Sequence, residues 1–301
     1  MYDIIGDVHG HAERLEHLLK TLGYHKINGI WTHSSRKLIS VGDLIDRGPQ
    51  QRQSVDIIRD MQQAGSAYVI MGNHEFNAIA WATLDDNGQP LRKHNEKNEH
   101  QHREFLKEKA KDKVWYDESI AWFKSLPFYL QLDGINVVHA CWQADSIEAV
   151  KSYQDQDAKR SDTFWQQANQ KSHPLYEAIE VLCKGWEIKL PCPFSFKDED
   201  GHERHHLRTK WWLPAASNYG DIAINKFHVA DCADLPISQN AIPGYSEANA
   251  LFFGHYWFKG NPVVQTPKIA CVDWSVAEGG CLVAYRYDGE DTLLNDKLVA
   301  L

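Results

Sequence analysis

Along the first 75 residues the apolar positions alternate between strand-like runs and helical spacing. Residues 2–6 form a short β-compatible run, after which Leu15, Leu18, Leu19 and Leu22 recur at helical spacing until Gly23 ends the pattern. Residues 38–41 read as a second strand, Pro49 can open a helix running to about residue 64, and residues 68–71 read as a third strand. Strand, helix, strand, helix, strand predicts crossover units and a largely parallel start to a sheet, with chemistry gathered at the strands' carboxyl ends. Residues 135–138 and 250–253 predict further buried strands, with a mainly helical stretch over 146–183 between them. The runs at 269–273 and 281–287 predict adjacent antiparallel strands around Gly279-Gly280.

Two polar segments interrupt this pattern. Residues 85–113 mix charges of both signs and predict a solvated, helical insertion to which no chemistry is assigned. Residues 185–212 are loop-rich, with turn signals at Pro191-Cys192-Pro193 and Asp198-Glu199-Asp200-Gly201. No repeat or Pro/Ser-rich linker divides the chain, so residues 1–301 are expected to form one layered domain carrying these two insertions. With 43% hydrophobic and 24% charged residues the chain can bury a large core, which excludes disorder and collagen-like arrays. A net charge of -9 argues against a general nucleic-acid coat. No apolar run approaches the roughly 20 residues of a membrane span and no signal peptide is recognisable, so a cytosolic location is expected. The six cysteines, at 141, 183, 192, 232, 271 and 281, form no C-x-x-C pair and are read as thiols, without a structural zinc site or a redox pair.

The residues just past each strand add candidate chemistry. Asp7-Val8-His9 comes after the first, Asp43-Leu44-Ile45-Asp46-Arg47 after the second and Asn73-His74-Glu75 after the third, while His139 ends the fourth and Gly254-His255 a late one. Each set closes an apolar run, where a purely structural histidine or aspartate needs its own buried partner. Singly, His139 or His255 is more often a hydrogen-bonded histidine near the core, and Asp7 a helix cap. Five such strand ends in chain order are hard to attribute to that bland reading.

These blocks, G-D-V-H-G at 6–10, G-D-L-I-D-R-G at 42–48, G-N-H-E at 72–75, V-V-H-A at 137–140 and F-G-H at 253–255, resemble those of the calcineurin-like metallophosphoesterases. The resemblance is to the branch of phosphoprotein phosphatases and symmetrical dinucleoside tetraphosphatases. It implies an α/β fold, a two-sheet β-sandwich flanked by helices in four α/β/β/α layers, with two divalent metal ions at one sheet edge. By resemblance Asp43 bridges the ions, Asp7 and His9 complete the first site, and Asn73, His139 and His255 complete the second. Mixed oxygen and imidazole ligands suit manganese, iron or zinc better than calcium, and manganese is expected first. Two such ions can share and activate a water and clamp the phosphoryl group.

The same resemblance gives Arg47 to the phosphate oxygens and makes His74 a general acid oriented by Asp46. Arg208 is nominated as a second phosphate-binding arginine, with Lys210 as a supplement. The alternative is that Arg204, Arg208 and Lys210 form a solvated basic loop. His202, His205 and His206 are read as surface residues, Glu75 as a structural residue at a helix start, and Asp273 as a supporting or turn residue. Trp142, Trp211, Trp212, Tyr256 and Trp257 can stack on a base or peptide, but core packing accounts for most of them. The family's arginine before G-N-H-E is Met71 here, the histidine block reads His139-Ala140-Cys141 where glycines are usual, and D-T-G has become Asp273-Trp274-Ser275. No metal ligand is lost, but the positions that shape the pocket differ. The leading expectation is hydrolysis of phosphate monoesters such as phosphoserine or phosphothreonine. Symmetrical dinucleoside tetraphosphate hydrolysis is the alternative, and an inactive phosphate-binding scaffold the third reading. The partner is a phosphorylated substrate, with no membrane and no general nucleic-acid binding.

Overall fold

The computed structural model describes residues 1–157, 159–197 and 201–301, so the turn expected at 198–200 lies outside the described residues. Two main sheets are built from β1 Tyr2–Ile5, β2 Lys37–Ser40, β3 Ala67–Val69, β4 Tyr129–Leu132, β5 Ile135–Val138, β6 Ala250–Phe253, β7 Ile269–Cys271, β8 Asp273–Trp274, β9 Cys281–Tyr287 and β10 Leu298–Ala300. The larger helices are α1 Ala12–Thr21, α2 Gln51–Gln63, α3 Asn73–Ala82, α4 Glu96–Lys111, α5 Lys113–Ser125, α6 Ala144–Gln156, α7 Asp162–Ala168 and α8 Pro174–Lys184.

The first sheet runs β8-β9-β1-β2-β3, with β10 also paired to β9. Within it β1, β2 and β3 are parallel, Tyr2 opposite Lys37 and Leu38 opposite Ala67, while β9 is antiparallel to β1. The second sheet runs β7-β6-β5-β4, its first three strands parallel and β4 reversed. Period-two alternation assigns the faces. Ile4, Ile39 and Tyr285 from the first sheet, Ile70 just past β3, and Val137, Phe252 and Ala270 from the second form one buried cluster between the sheets. The intervening Ile5, Leu38 and Val69 join Leu15, Leu18, Val55 and Ile58 of α1 and α2, while Val138, Leu251 and Phe253 share that outer cluster with Ile147, Leu175 and Leu182 of α6 and α8. Each such fully buried aliphatic side chain contributes roughly 1.5–3 kcal/mol. The result is the helix, sheet, sheet, helix layering that the motifs imply.

The hairpin expected from 269–273 and 281–287 takes another form. The apolar run splits at buried Val272: β7 lies parallel to β6 in the second sheet, and β8 crosses to the first sheet, where Asp273 pairs antiparallel with Leu282. An apolar run records burial on both faces and not the sheet that receives it. The helical stretch at 146–183 is broken into α6, α7 and α8. In the polar segment 85–113, the Asn95 side chain caps α4 by accepting the N–H of Asn98, and α4 buries His102, Phe105 and Glu108, so only part of its surface is solvated. The segment 185–212 holds two short ladders, Glu187–Lys189 with His206–Arg208 and Phe196–Lys197 with Glu203–Arg204. Among the described residues no helix is long and apolar enough to cross a membrane.

Candidate metal centre and cleft

The five motif loops leave the carboxyl ends of β1, β2, β3, β5 and β6 at one edge of the sandwich, where backbone bonds lock them together. The Asp43 carbonyl accepts the N–H groups of Val8 and His9 at 3.0 and 2.9 Å, and Leu44 accepts that of Gly10 at 2.8 Å. Glu75, in the first turn of α3, accepts the N–H groups of Gly72, Asp43 and Leu44 at 3.0, 2.8 and 2.8 Å. Asp273 accepts those of Trp257 and Ser275 at 2.7 and 3.1 Å. Packing here leaves no room for side chains at two glycines: a Cβ on Gly72 would lie 2.1 Å from Asp43 Oδ1, and one on Gly254 2.2 Å from Asp7 Oδ1. His9, Asp43, Asp46, Arg47, His255 and Trp257 all hold left-handed backbone, with φ of 46, 51, 68, 70, 70 and 52°. Such conformations cost about 1–3 kcal/mol each and persist where the surroundings over-determine them, as they do at sites of chemistry.

The side chains converge on Asp43. Its Oδ2 lies 3.7 Å from His9 Nε2, 3.9 Å from His74 Nε2 and 3.4 Å from His139 Nε2. Asp7 Oδ2 is 4.0 Å from His9 Nε2, and Asn73 Oδ1 is 3.1 Å from His139 Nε2 and 2.7 Å from His255 Nδ1. Two groups with the spacing of metal ligands result, His9, Asp43 and His74 on one side and Asp43, His139 and His255 on the other, sharing Asp43.

The donor chemistry fits cations. His9 Nδ1 donates to the Ile45 carbonyl at 2.8 Å, and its Nε2 is buried without a hydrogen-bond partner among the described residues. Burial, then the neighbouring His74, lowers the His9 imidazole to about 4, so it presents a lone pair at neutral pH. His139 Nδ1 donates to the Val41 carbonyl at 2.7 Å. Its Nε2 faces two oxygens, Asn73 Oδ1 and Asp43 Oδ2; burial acts downward on the imidazole but Asp43 outweighs it and raises it, and the arrangement is satisfied by a proton on Nε2 or by a cation placed between them. Burial also holds His255 well below the usual imidazole range, helped by Arg208 and His139. The carboxyl of Asp7 is pushed well up, first by burial and then by the carboxylates of Asp273 and Asp43. Crowded buried carboxylates beside the lowered imidazoles of His9 and His255 are a polar set that divalent ions satisfy.

Beside the cluster, Asp46 accepts His74 Nδ1 at 2.6 Å on Oδ2 and His102 Nδ1 at 3.0 Å on Oδ1. Burial alone would raise the Asp46 carboxyl, but His102 and His74 hold it well below the carboxylate range. For His74 burial acts downward and is outweighed by Asp43 and Asp46, so its imidazole is raised. A cleft of about 790 Å³ opens over these groups, and Arg47, Arg92, Lys97, Lys184, Arg204 and Arg208 contribute to its wall. The Arg47 guanidinium lies over the Trp257 ring, 4.8 Å from its centroid, and that of Arg208 is 5.9 Å from the Tyr256 centroid.

Asp7, His9, Asp43, Asp46, Arg47, Asn73, His74, His139, Arg208 and His255 are thus brought to one place. Lys210 is not: it faces Lys226 and Asp221 instead of the cleft. His202, His205 and His206 are exposed. Trp142, Trp211, Trp212 and Tyr256 are core residues, and only Trp257 of the aromatic group lines the cleft. Sequence reasoning missed His102, whose only signal was its spacing from Phe105 on one helix face, and the loop-bracing reach of Glu75.

Residues 2–185 match the calcineurin-like phosphoesterase family. The bis(5'-nucleosyl)-tetraphosphatase PrpE [asymmetrical] of Oceanobacillus iheyensis is 36% identical over 140 residues, 46% of this chain and 54% of the relative. The protein of the same name from Geobacillus sp. is 48% identical over 73 residues, 24% of this chain and 30% of the relative. The chain thus spans about half, or less, of the length of these curated relatives. Among solved structures, a cold-active protein-tyrosine phosphatase of a psychrophilic Shewanella sp. is 14% identical with a TM-score of 0.48, covering 100% of this chain and 80% of that one. A protein serine/threonine phosphatase from Saccharomyces cerevisiae is 14% identical with a TM-score of 0.47, covering 99% of this chain and 78% of that one. With the family matched across more than half its length, the chain belongs to the calcineurin-like phosphoesterases, hydrolases of phosphoester bonds that work with a dinuclear metal centre.

Proposed function

We propose that this chain hydrolyses dinucleoside polyphosphates, with diadenosine tetraphosphate preferred over phosphoserine or phosphothreonine esters. The observation that carries this reading is the charge of the cleft. Among the described residues, beyond the cluster carboxylates Asp43 and Asp46, six cations line it against Glu180 and Glu187; Lys184 is paired with Glu180, and Arg204 also has a partner. One phosphate monoester needs two of these cations, whereas a chain of phosphates can use several. The names of the PrpE relatives support the same substrate class and favour it over the protein-phosphatase expectation. They also name the asymmetrical mode, in which diadenosine tetraphosphate yields AMP and ATP, where the sequence motifs had suggested the symmetrical one.

In this reading Asp7, His9 and Asp43 would hold one ion, and Asp43, Asn73, His139 and His255 the other, with manganese the expected metal. When bound, such ions would supply Lewis-acid charge and activate water as the nucleophile. The chain's own groups do the rest. Arg47 and Arg208 donate to non-bridging phosphate oxygens as charge develops there. His74, its Nδ1–H held by Asp46, turns Nε2 toward the cluster and donates a proton to the leaving oxygen. Trp257 stacks under the Arg47 guanidinium and limits its swing. The six unpaired thiols accord with a cytosolic location.

The test is protein stripped of metal, reloaded with manganese, and offered diadenosine tetraphosphate and a phosphoserine peptide side by side, with products separated by anion-exchange chromatography. Preference for the dinucleotide by an order of magnitude or more in kcat/KM, with AMP and ATP as products, is the expected result. ADP alone would assign the symmetrical mode. Faster hydrolysis of the peptide would overturn the substrate assignment, and no turnover of either would return the chain to the scaffold reading.

A further inference from the structure

His102 lies on α4, inside the segment whose sequence reads as solvated, yet it is only 3% exposed and reaches the chemistry. Its Nδ1 donates to Asp46 Oδ1 at 3.0 Å, while His74 Nδ1 donates to Asp46 Oδ2 at 2.6 Å. We infer that His102 is a positioning residue for phosphoester cleavage: it fixes the Asp46 carboxylate so that the second oxygen is presented to His74. This rests on the reading of His74 as the proton donor.

Three features support it. A carboxylate turns on a broad, roughly two-fold terminal torsion, so one hydrogen bond leaves it free to rock; donors on both oxygens remove that freedom. The backbone beneath is also fixed, with Asp46 at φ 68° and its N–H donated to Gln51 Oε1 at 2.6 Å. Finally, the His102 ring is wedged between Trp81 and Phe105, at centroid separations of 5.8 and 5.3 Å, and its Nε2 is buried with no hydrogen-bond partner among the described residues. A buried imidazole with one nitrogen left unsatisfied is costly, and its one polar bond is the one to Asp46. The helix α4 thereby becomes part of the proton-delivery apparatus through a chain of two hydrogen bonds, with His74 alone facing the reacting group.

The experiment compares the manganese-loaded wild type with His102→Phe, His102→Gln and His74→Asn on two aryl esters of one shape. Phenyl phosphate has a leaving group that needs a proton, and nitrophenyl phosphate has one that needs little. His102→Phe is expected to lower kcat on phenyl phosphate by roughly 10–100-fold, the usual scale for a partner that orients a site residue, with a much smaller loss on nitrophenyl phosphate and KM unchanged. His102→Gln, which keeps an N–H donor, should recover most of the loss. Thermal unfolding is recorded for each variant, and His102→Leu replaces the phenylalanine variant if that one does not fold. Equal losses on both esters, or no recovery in His102→Gln, would overturn the inference. If His74→Asn itself fails to widen the gap between the two esters, the reading of His74 falls first and the role of His102 with it.

Discussion

Glu75 accepts the backbone N–H of Asp43 at 2.8 Å with Oε2 while its Oε1 takes that of Leu44 at the same distance. The side chain that opens α3 thus braces the loop carrying the shared carboxylate. Glu75→Gln keeps the shape but turns one acceptor into an NH₂ group facing an N–H. That loss at a fully buried site is expected to cost about 1–3 kcal/mol and to let the Asp43 loop shift. A lowered unfolding temperature together with reduced metal content by mass spectrometry is the expected outcome. A variant with wild-type values of both would show that the brace is dispensable.

Asp43 belongs to both ligand groups, so its loss should affect both. Asp43→Asn preserves the Oδ1 acceptor that takes the His74 N–H at 2.9 Å, and with it much of the local fold. It removes the negative charge that two cations would share. Metal content after dialysis against manganese should drop along with activity while circular dichroism stays unchanged; full occupancy would refute the bridging role.

His74→Asn separates chemistry from metal binding. On an alkyl phosphate such as a phosphoserine peptide, turnover is expected to fall roughly 10²–10⁴-fold, the scale of general acid catalysis, because the variant lacks the imidazole whose Nε2 is turned toward the cluster. Metal content should stay near the wild-type level. Unchanged turnover of that ester would remove His74 from the acid role.

The strand ends were legible because an apolar run closed by Asp, Asn or His leaves few structural uses for the polar group, and parallel strands carry such groups to one edge. Order along the chain marked Asp7, His9, Asp43, Asn73, His139 and His255 as candidates, and the family resemblance supplied their expected roles. His102 was hidden for the opposite reason: helical spacing with Phe105 states that it is buried, but not that a carboxylate 56 positions earlier waits for its Nδ1. Charge mixing made α4 read as wholly solvated, although one face packs inward. The switch at Val272 was equally silent, since burial on both sides is the same whether the next residue stays in its sheet or crosses to the other. Arg92 and Lys97 lie in the polar segment 85–113 and Lys184 at the end of α8, so only tertiary structure shows that they share a cleft with Arg47.

Arg208 and Lys210 lie two positions apart yet have different surroundings, which gives a matched pair. Arg208 lines the cleft, and Lys210 faces Lys226 and Asp221. Losing one charge-assisted donor to phosphate costs about 1.5–3 kcal/mol, so Arg208→Ala should lower kcat/KM roughly 10–100-fold. Lys210→Ala should stay within about twofold, as surface substitutions do. Equal effects in the two variants would mean that the loop acts as a diffuse basic surface.

At the other end of the sandwich, Arg36 donates to buried Asp3 at 2.9 Å, to the Tyr2 and Tyr287 carbonyls at 2.7 and 3.0 Å, and to Asp288. Lys297, and then Arg36, hold the Asp288 carboxyl down at about 2 against an ordinary 3.8. A carboxyl depressed in the folded state adds stability that is complete above its unfolded pKa and is lost as pH falls through the folded value. For Asp288 that window runs from 3.8 down to about 2. Because its side chain is 39% exposed, solvent screening limits the contribution at neutral pH to about 1 kcal/mol or less. Asp288→Asn should therefore lower the urea midpoint slightly at neutral pH, and the gap to the wild type should narrow once the pH drops below about 4. Activity per folded molecule should not change, since the cleft lies at the opposite ends of the parallel strands. A gap that widens as the solution is acidified would reverse the sign and rule out the pairing as its source.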